Sequence, residues 1–316
     1  IRRPPRSTQG VSSAASDVYK RQLQYQDYRN LWIATTFSAS AAWALIIARG
    51  WLTFDLTGSS SWVGLVTFAA MLPQVFSSPI AGFLADRFDR VRVLQWAFAL
   101  NIANNSLLAV LVMNGVDSPW ILVLLALVNG TLRASQMTVS TALVPNLVAK
   151  EHLMNAIALN QATQQGARMT GALAIIPLLG FLNVEAAFWA CSSFYLLGFI
   201  QVSRIRTRST GVINQNQGFL TNLFEGFVYV YKRPTLRSIV LIVLAHCVLT
   251  MSYESLLPAI SEDKLKAGSV GASYLMAGVG GGALLSSLFM AGVCLLYTSD
   301  AADDTPCVDL GGRRII

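Results

Sequence analysis

Charge is scarce in this chain: Asp, Glu, Lys and Arg together make only 12% of its 316 residues. The formal balance of +7 would ordinarily raise nucleic acid as a partner. Here the charges sit between apolar runs instead of on one soluble face, so no nucleic acid is expected. Cysteine is also rare, and Cys191 and Cys247 stand in apolar segments far apart in sequence, while Cys294 and Cys307 belong to the C-terminal tail. No disulfide framework and no metal-ligand spacing emerges. His-Glu-x-x-His, a phosphate-cradling glycine loop and a repeated Asp cluster are all missing, which removes the commonest enzyme signatures. No metal and no cofactor is expected, and His246, without ligating company, reads as a packing histidine.

The two tails differ from the middle. A single DNA string encodes Ser12 to Gln22, and its reverse complement, read one base in, encodes the run from Cys294 to Asp303. That string is a sequencing-library transposon end with its adapter, so residues 1–22 and 294–316 are expected to be adapter-derived and not native. The stretch 23–293 is then expected to be a gene fragment. It keeps 16 basic against 11 acidic residues, a net of +5.

Apolar residues are abundant, at 54% of the chain, with a mean hydropathy of +0.52. Runs of about 20 apolar residues span the roughly 30 Å hydrocarbon core as helices, because only a helix satisfies every backbone group in lipid. Eight such runs are read, at 31–54, 62–84, 93–114, 119–147, 155–180, 184–203, 237–259 and 270–293. The expected fold is therefore an all-α polytopic membrane protein. The fourth and fifth runs are the least hydrophobic. Basic residues alternate by loop: Arg29 precedes span one, Arg87, Arg90 and Arg92 follow span two, Lys150 follows span four, and Arg204, Arg206 and Arg208 follow span six. The loops between carry none, apart from Lys264 and Lys266 after span seven. By the positive-inside rule, the residue 23 end and the long central connection face the cytoplasm.

That connection, 204–236, separates a six-span bundle, 23–203, from the two spans within 237–293. In it Phe219, Leu220, Leu223, Phe224, Phe227, Val228 and Tyr231 recur at three- and four-residue spacing. This predicts an amphipathic helix, either along the membrane surface or packed on the bundle.

Polar residues inside spans are costly and each is a candidate for function. Asn129, Arg133, Gln136 and Ser140 fall on one face of span four. Gln161, Gln164 or Gln165, and Arg168 share a face of span five, with Asn160 beside them. Two such stripes face to face would enclose a wet cavity. Span one adds Ser38, Ser40 and Arg49, span seven adds Tyr253 and Glu254, and burial would raise the Glu254 pKa towards the range of a proton carrier. Asn101, Asn104 and Asn105 read as helix-to-helix bonds, and Gly278, Gly280, Gly281 and Gly282 as a close-packing surface on span eight.

Between spans two and three runs Gly82-Phe-Leu-Ala-Asp-Arg-Phe-Asp-Arg-Val-Arg92. It resembles the signature loop of the major facilitator superfamily, Gly-x-Leu-Ala-Asp-Arg-x-Gly-Arg-Arg, at Gly82, Leu84, Ala85, Asp86, Arg87 and Arg90, with Asp89 in place of the usual Gly. Asp-Arg-Phe-Asp-Arg is most similar to its drug and siderophore exporters, the macrolide and enterobactin efflux subgroup. Arg133-Ala-Ser-Gln136 resembles the fourth-helix pattern Arg-x-x-Gln-Gly, with Met137 replacing Gly, and Gly171-Ala172 stands where such exporters show Gly-Pro. The resemblance implies a major facilitator fold of two related halves, here an N-terminal six-helix bundle with the first two helices of the second. It implies that Gly82, Asp86, Arg87, Asp89 and Arg90 form a cytoplasmic gating loop. Proton coupling or cavity roles fall to Arg133, Gln136 and Glu254, and a substrate cavity to Ser40, Asn129, Asn160, Gln161, Gln164 and Arg168. The implied activity is proton-coupled efflux of a hydrophobic or amphiphilic small molecule by alternating access, in the inner cell membrane. Its partners are the substrate, the proton and the lipid bilayer, and the protein is expected to be monomeric. A polytopic membrane enzyme, or a non-transporting sensor or scaffold, is the alternative.

Overall fold

The computed structural model describes residues 23–115, 118–207, 209, 228–250, 253 and 256–303. Side chains at 75, 76, 78, 79, 86, 154, 246–248, 250, 263 and 287–303 lie outside that description. Every regular element among the described residues is helical. These are α1 Gln26–Thr57, α2 Ser60–Met71, α3 Pro73–Arg87, α4 Arg90–Met113, α5 Pro119–Leu147, α6 Leu153–Phe181, α7 Val184–Ser203, α8 Pro234–Thr250 and α9 Gly268–Asp303. Between α8 and α9 a short turn, Leu257–Ala259, continues into a π-helical turn, Ile260–Lys264.

The eight expected spans correspond to these helices with two corrections: span seven, read as 237–259, is helix α8 only to Thr250, with Leu257–Ala259 in a separate short turn, and span two is divided. Span two is two helices, α2 and α3, divided at Leu72. Pro73 is the reason: it has no N–H to give to Ala69, and its ring crowds that carbonyl, so the helix restarts with proline in its first position. The helices α1, α4, α5 and α7 and the segment Gly268–Ser286 of α9 are long and apolar enough to cross a membrane. The 29-residue α6 is long enough too, yet its polar stripe keeps it out of that group.

In the N-terminal bundle α1 is central, packing on α2, α5, α6 and α7, while α4 lies against α5 and α7, and α3 against α5. Its core holds Tyr28, Leu45, Phe98, Leu108, Leu122, Phe188 and Tyr195. The outward surface is apolar as well, with Phe68, Trp96, Leu100, Leu107, Leu124 and Leu196 exposed. In water this would be an aggregating surface; in lipid it costs nothing. At the end away from the basic loops, Trp62 packs edge-on against Trp120, centroids 5.1 Å apart, an aromatic pair of the kind that anchors helix ends at a membrane interface.

The second segment joins through α6, which packs extensively on α9. A Cβ on Gly280 would sit 2.5 Å from the Met169 backbone nitrogen, so only glycine permits this approach. Of the four glycines expected to serve close packing, Gly280 does so, whereas Gly278 and Gly282 face open space. Among the described residues α8 packs closely on no other helix, and Ile239, Leu241, Ile242 and Leu244 are exposed along it. The expected amphipathic helix of the connection lies outside the described residues except Val228 to Tyr231.

Candidate functional site

Three helices bring their polar membrane-depth residues together. Trp43 of α1 receives the Arg168 guanidinium of α6 at 4.0 Å from its ring centroid, and that of Arg133 of α5 at 5.1 Å. Arg168 is only 7% exposed. The two stripes read from spans four and five thus face each other, and the indole between them is a partner that the stripes alone did not reveal. A cation over an aromatic face gains about 0.5–2 kcal/mol, more as water is excluded.

Beside this cluster lies a cavity of about 20 Å³ bordered by Thr35, Ser38, Arg133, Gln136, Ser140 and Gln164. That is room for roughly one water. A smaller space next to it, about 10 Å³, is bordered by Trp32, Ser140 and Asn160. Both spaces are far smaller than a drug-sized solute.

The other expected cavity residues are placed differently. Ser40 spends its hydroxyl on Thr170, 2.9 Å away, where Gly171 brings α6 onto the α1 backbone. Gln161 is exposed and borders neither cavity. Asn129 turns into the bundle core: its Nδ2 donates to Asn101 Oδ1 at 2.7 Å, and its own Oδ1 accepts from Arg49 Nη2 at 2.8 Å. Asn104 likewise crosses to α5, donating to the Leu125 carbonyl, whereas Asn105 bonds back to the Asn101 carbonyl of its own helix, so Asn101 and Asn104 bond a neighbouring helix and Asn105 does not do so through this bond. Arg49 is 4% exposed, and its Nε and Nη1 find no acceptor. Glu254 lies outside the described residues, as does the side chain of His246.

At the basic end, Arg90 is the hub of the signature loop. Its Nε donates to the Ala85 carbonyl at 3.2 Å and its Nη1 to the Ala142 carbonyl at 2.8 Å. The Arg90 amide donates to the Ser209 carbonyl at 2.9 Å, and the Asn146 amide group bonds the Ser209 hydroxyl. The loop is thereby tied to span four and to the start of the central connection. Asp89 caps α4, accepting from the Val91 and Arg92 amides at 2.9 and 3.2 Å. Arg87 is exposed, a Cβ on Gly82 would meet nothing within 4 Å, and the Asp86 side chain lies outside the described residues.

A second tie at this end was not read from the sequence. Asp27, in the first turn of α1, accepts from the Arg206 amide at 3.2 Å and from the Thr207 amide and hydroxyl at 2.9 and 2.5 Å. Partial burial pushes its pKa up, but the Thr207 and Arg206 hydrogen bonds and the Arg206 charge outweigh this, and the net shift is downward. A carboxyl lowered in the folded state gives stability that is present above its unfolded pKa and is lost as pH falls through the folded one. The tie therefore holds at neutral pH and releases only on acidification below the ordinary carboxylate range. Asp27→Asn is expected to speed exchange of the Thr207 amide about tenfold at pH 7. In the parent the same acceleration should appear only in acid, once the intrinsic pH dependence of exchange is subtracted. An unchanged rate in Asp27→Asn would remove the tie.

A multi-pass helical bundle with two arginines from different spans meeting on one indole, beside a small cavity of mixed polar and apolar lining, defines an integral membrane protein. The family model described as Transmembrane secretion effector matches residues 21–302, and the chain belongs to that family of the major facilitator superfamily. It is thus a transporter-family protein and not an enzyme. The chain is 24% identical over 290 residues to the multidrug efflux pump Tap of Mycobacterium tuberculosis (strain ATCC 25618 / H37Rv), covering 88% of this chain and 68% of that protein. It is 20% identical over 265 residues to macrolide efflux protein A of Streptococcus pyogenes, covering 83% and 65%. Among solved structures, a POT family transporter in complex with 5-aminolevulinic acid aligns at 12% identity with a TM-score of 0.48, over 78% of this chain and 51% of that one. The chain spans about half the length of that solved transporter.

Proposed function

We propose that the chain acts in proton-coupled efflux of a hydrophobic or amphiphilic small molecule, of drug or siderophore type, by alternating access. The carrying observation is that Arg133 and Arg168, from different spans, meet on Trp43 inside the bundle, beside a small cavity that Arg133, Gln136 and Gln164 help to line. The efflux function named for its relatives supports the direction. Residues 23–203 form the N-terminal bundle, 204–236 the connection, and 237–293 the first two helices of a second bundle. The basic ends of α1, α3, α5 and α7 lie in the cytoplasm of the inner membrane. Arg90, with Asp86 and Arg87, serves the gate: breaking its bond to the Ala142 carbonyl frees span four to move. Arg133 and Gln136, with Glu254 from span seven, carry the proton-linked step, and Gln164, Asn160 and Arg168 border the solute's path. The protein works as a monomer.

The test is efflux of a neutral lipophilic fluorescent dye from cells expressing the chain, with and without a protonophore. Efflux should stop on uncoupling, and Arg133→Ala should cut the initial rate by about tenfold or more at unchanged expression. Efflux indifferent to the protonophore removes the proton from the mechanism. Normal efflux by Arg133→Ala removes the arginine.

A further inference from the structure

Two arginines at the basic end serve neither the ties of the signature loop nor the interior. Arg90 is engaged with the Ala85 and Ala142 carbonyls, and the Arg206 charge lies beside Asp27. Arg92, in the first turn of α4, and Arg204, the C-cap of α7, are exposed. The two helices run antiparallel and close: the Ser106 and Ser192 hydroxyls lie 2.8 Å apart, and a Cβ on Gly198 would stand 2.3 Å from the Phe98 ring. At the basic end the Arg90 amide meets the Ser209 carbonyl. These pairs set Arg92 and Arg204 at one level on neighbouring helices. From Arg92 the outer face of α4 continues at four-residue spacing through Trp96 and Leu100, both exposed, Trp96 by 69%. The outer face of α7 leads to Arg204 through the exposed Leu196 and Ile200. At about 1.5 Å per residue, Trp96 lies about 6 Å further along α4 than Arg92, and the polar layer of one leaflet is about 5–8 Å thick.

We infer that the outer face of α4 and α7 at the basic end is a binding surface for an anionic phospholipid, whose phosphate sits between Arg92 and Arg204. A guanidinium offers a planar fork to phosphate oxygens, and two of them at one level favour a headgroup of net negative charge over a zwitterionic one, whose own cation they repel. Trp96 then stands at the depth of the glycerol esters, where its indole N–H reaches a carbonyl and its ring lies among the first methylenes. Leu100 and Leu196 continue as a wall for the acyl chains. A free phosphate would use the arginines alone and give no part to the indole and the apolar wall that follow them. The acids at this end are turned elsewhere: Asp89 accepts from the Val91 and Arg92 amides, and Asp27 from those of Arg206 and Thr207. The surface does not depend on what the chain transports.

The experiment places the whole chain in phosphatidylcholine nanodiscs in which about one lipid in ten is brominated near its ester groups and is either phosphatidylglycerol or phosphatidylcholine. Bromine quenches only an indole close to it, and the difference between the parent and Trp96→Phe isolates the Trp96 signal. Brominated phosphatidylglycerol should quench Trp96 at least about threefold more than brominated phosphatidylcholine at the same content. Arg92→Gln together with Arg204→Gln should bring the two lipids to equality. Arg29→Gln together with Lys150→Gln removes the same charge from exposed positions at the same end, beside α1 and α6, and should leave the preference in place. Millimolar inorganic phosphate at constant ionic strength should not displace the lipid. Thermal melts show whether each variant is folded, and if the double variant is not, the single Gln variants carry the test, each with a reduced preference. Equal quenching by the two lipids, quenching by neither, or a preference that survives loss of both arginines overturns the inference. An equal loss in the Arg29 and Lys150 control reduces the surface to the diffuse positive potential of this end, and displacement by phosphate makes it a site for a free anion; either result refutes the lipid site.

Discussion

Gly130→Ala will unfold at a markedly lower temperature than the parent chain and will lose the Trp43 cluster with it. A Cβ at position 130 would lie 2.1 Å from the Ala70 carbonyl oxygen and 2.8 Å from its carbon. No rotamer relieves this, because both partners are backbone. The helices α2 and α5 must move apart, and overpacking of this kind costs about 3 kcal/mol, at the upper end of what inserted methyl groups do. The neighbouring residues give the strain a functional reading. Asn129 reaches Arg49 and Arg133 reaches Trp43 from this same stretch of α5, so a displaced α5 weakens both. Thermal unfolding in detergent measures the first effect, and quenching of Trp43 fluorescence in a background lacking the other tryptophans measures the second. Gly278→Ala is the control: nothing lies within 4 Å of its Cβ position, and alanine there should stabilise slightly through helix propensity. Equal melting temperatures for the two variants would refute the close approach. Gly171, whose Cβ would stand 2.3 Å from the Ser40 carbonyl, predicts the same for α1 and α6.

The fold was largely legible because lipid imposes its own grammar. Long apolar runs and alternating basic loops place α1 and α4 to α7 within a few residues of where they stand. What was missed was local. Pro73 is visible in the sequence, but an uninterrupted apolar run outweighed it, and the division it makes at Leu72 shows only in the folded helices. Asp89 carried the ordinary signature of a helix cap, a carboxylate just before a periodic run, and the family loop drew attention from it.

The site divides the same way. Helical spacing puts Arg133 and Gln136 on one face of span four and Arg168 on span five, and folding brings Arg133 and Gln136 to the cavity and both arginines to Trp43. Asn129, one turn from Arg133, bonds α4 and α1 instead, because a helix in a bundle turns one stripe towards several neighbours. Trp43 was invisible for another reason. An indole in an apolar run disturbs no period, so nothing in the sequence says that two arginines will converge on it. Asp27 and Thr207 are 180 residues apart, and only the closure of the bundle brings them together.

Arg49 is where stability and function should separate. It is a cation buried in the bundle, holding one hydrogen bond to Asn129 and leaving Nε and Nη1 without an acceptor. Burying a charge costs several kcal/mol, and one charge-assisted bond returns about 1.5–3 kcal/mol. Replacing the group by an apolar side chain of similar length removes the larger cost, at the expense of an Asn129 oxygen left unbonded, worth about 1–3 kcal/mol. Arg49→Met should therefore melt no lower than the parent, and higher if Asn129 turns to a new donor. Selection for stability alone would not keep the arginine, so its use lies in the chain Arg49 to Asn129 to Asn101, which joins α1, α5 and α4 at membrane depth. Arg49→Met should then reduce efflux by about tenfold or more while folding is intact, and Arg49→Lys, with one point charge in place of a planar fork, should recover only part of it. A fall in melting temperature that accounts for the lost activity would make Arg49 a structural residue. Full activity in Arg49→Met would leave its buried charge without a purpose.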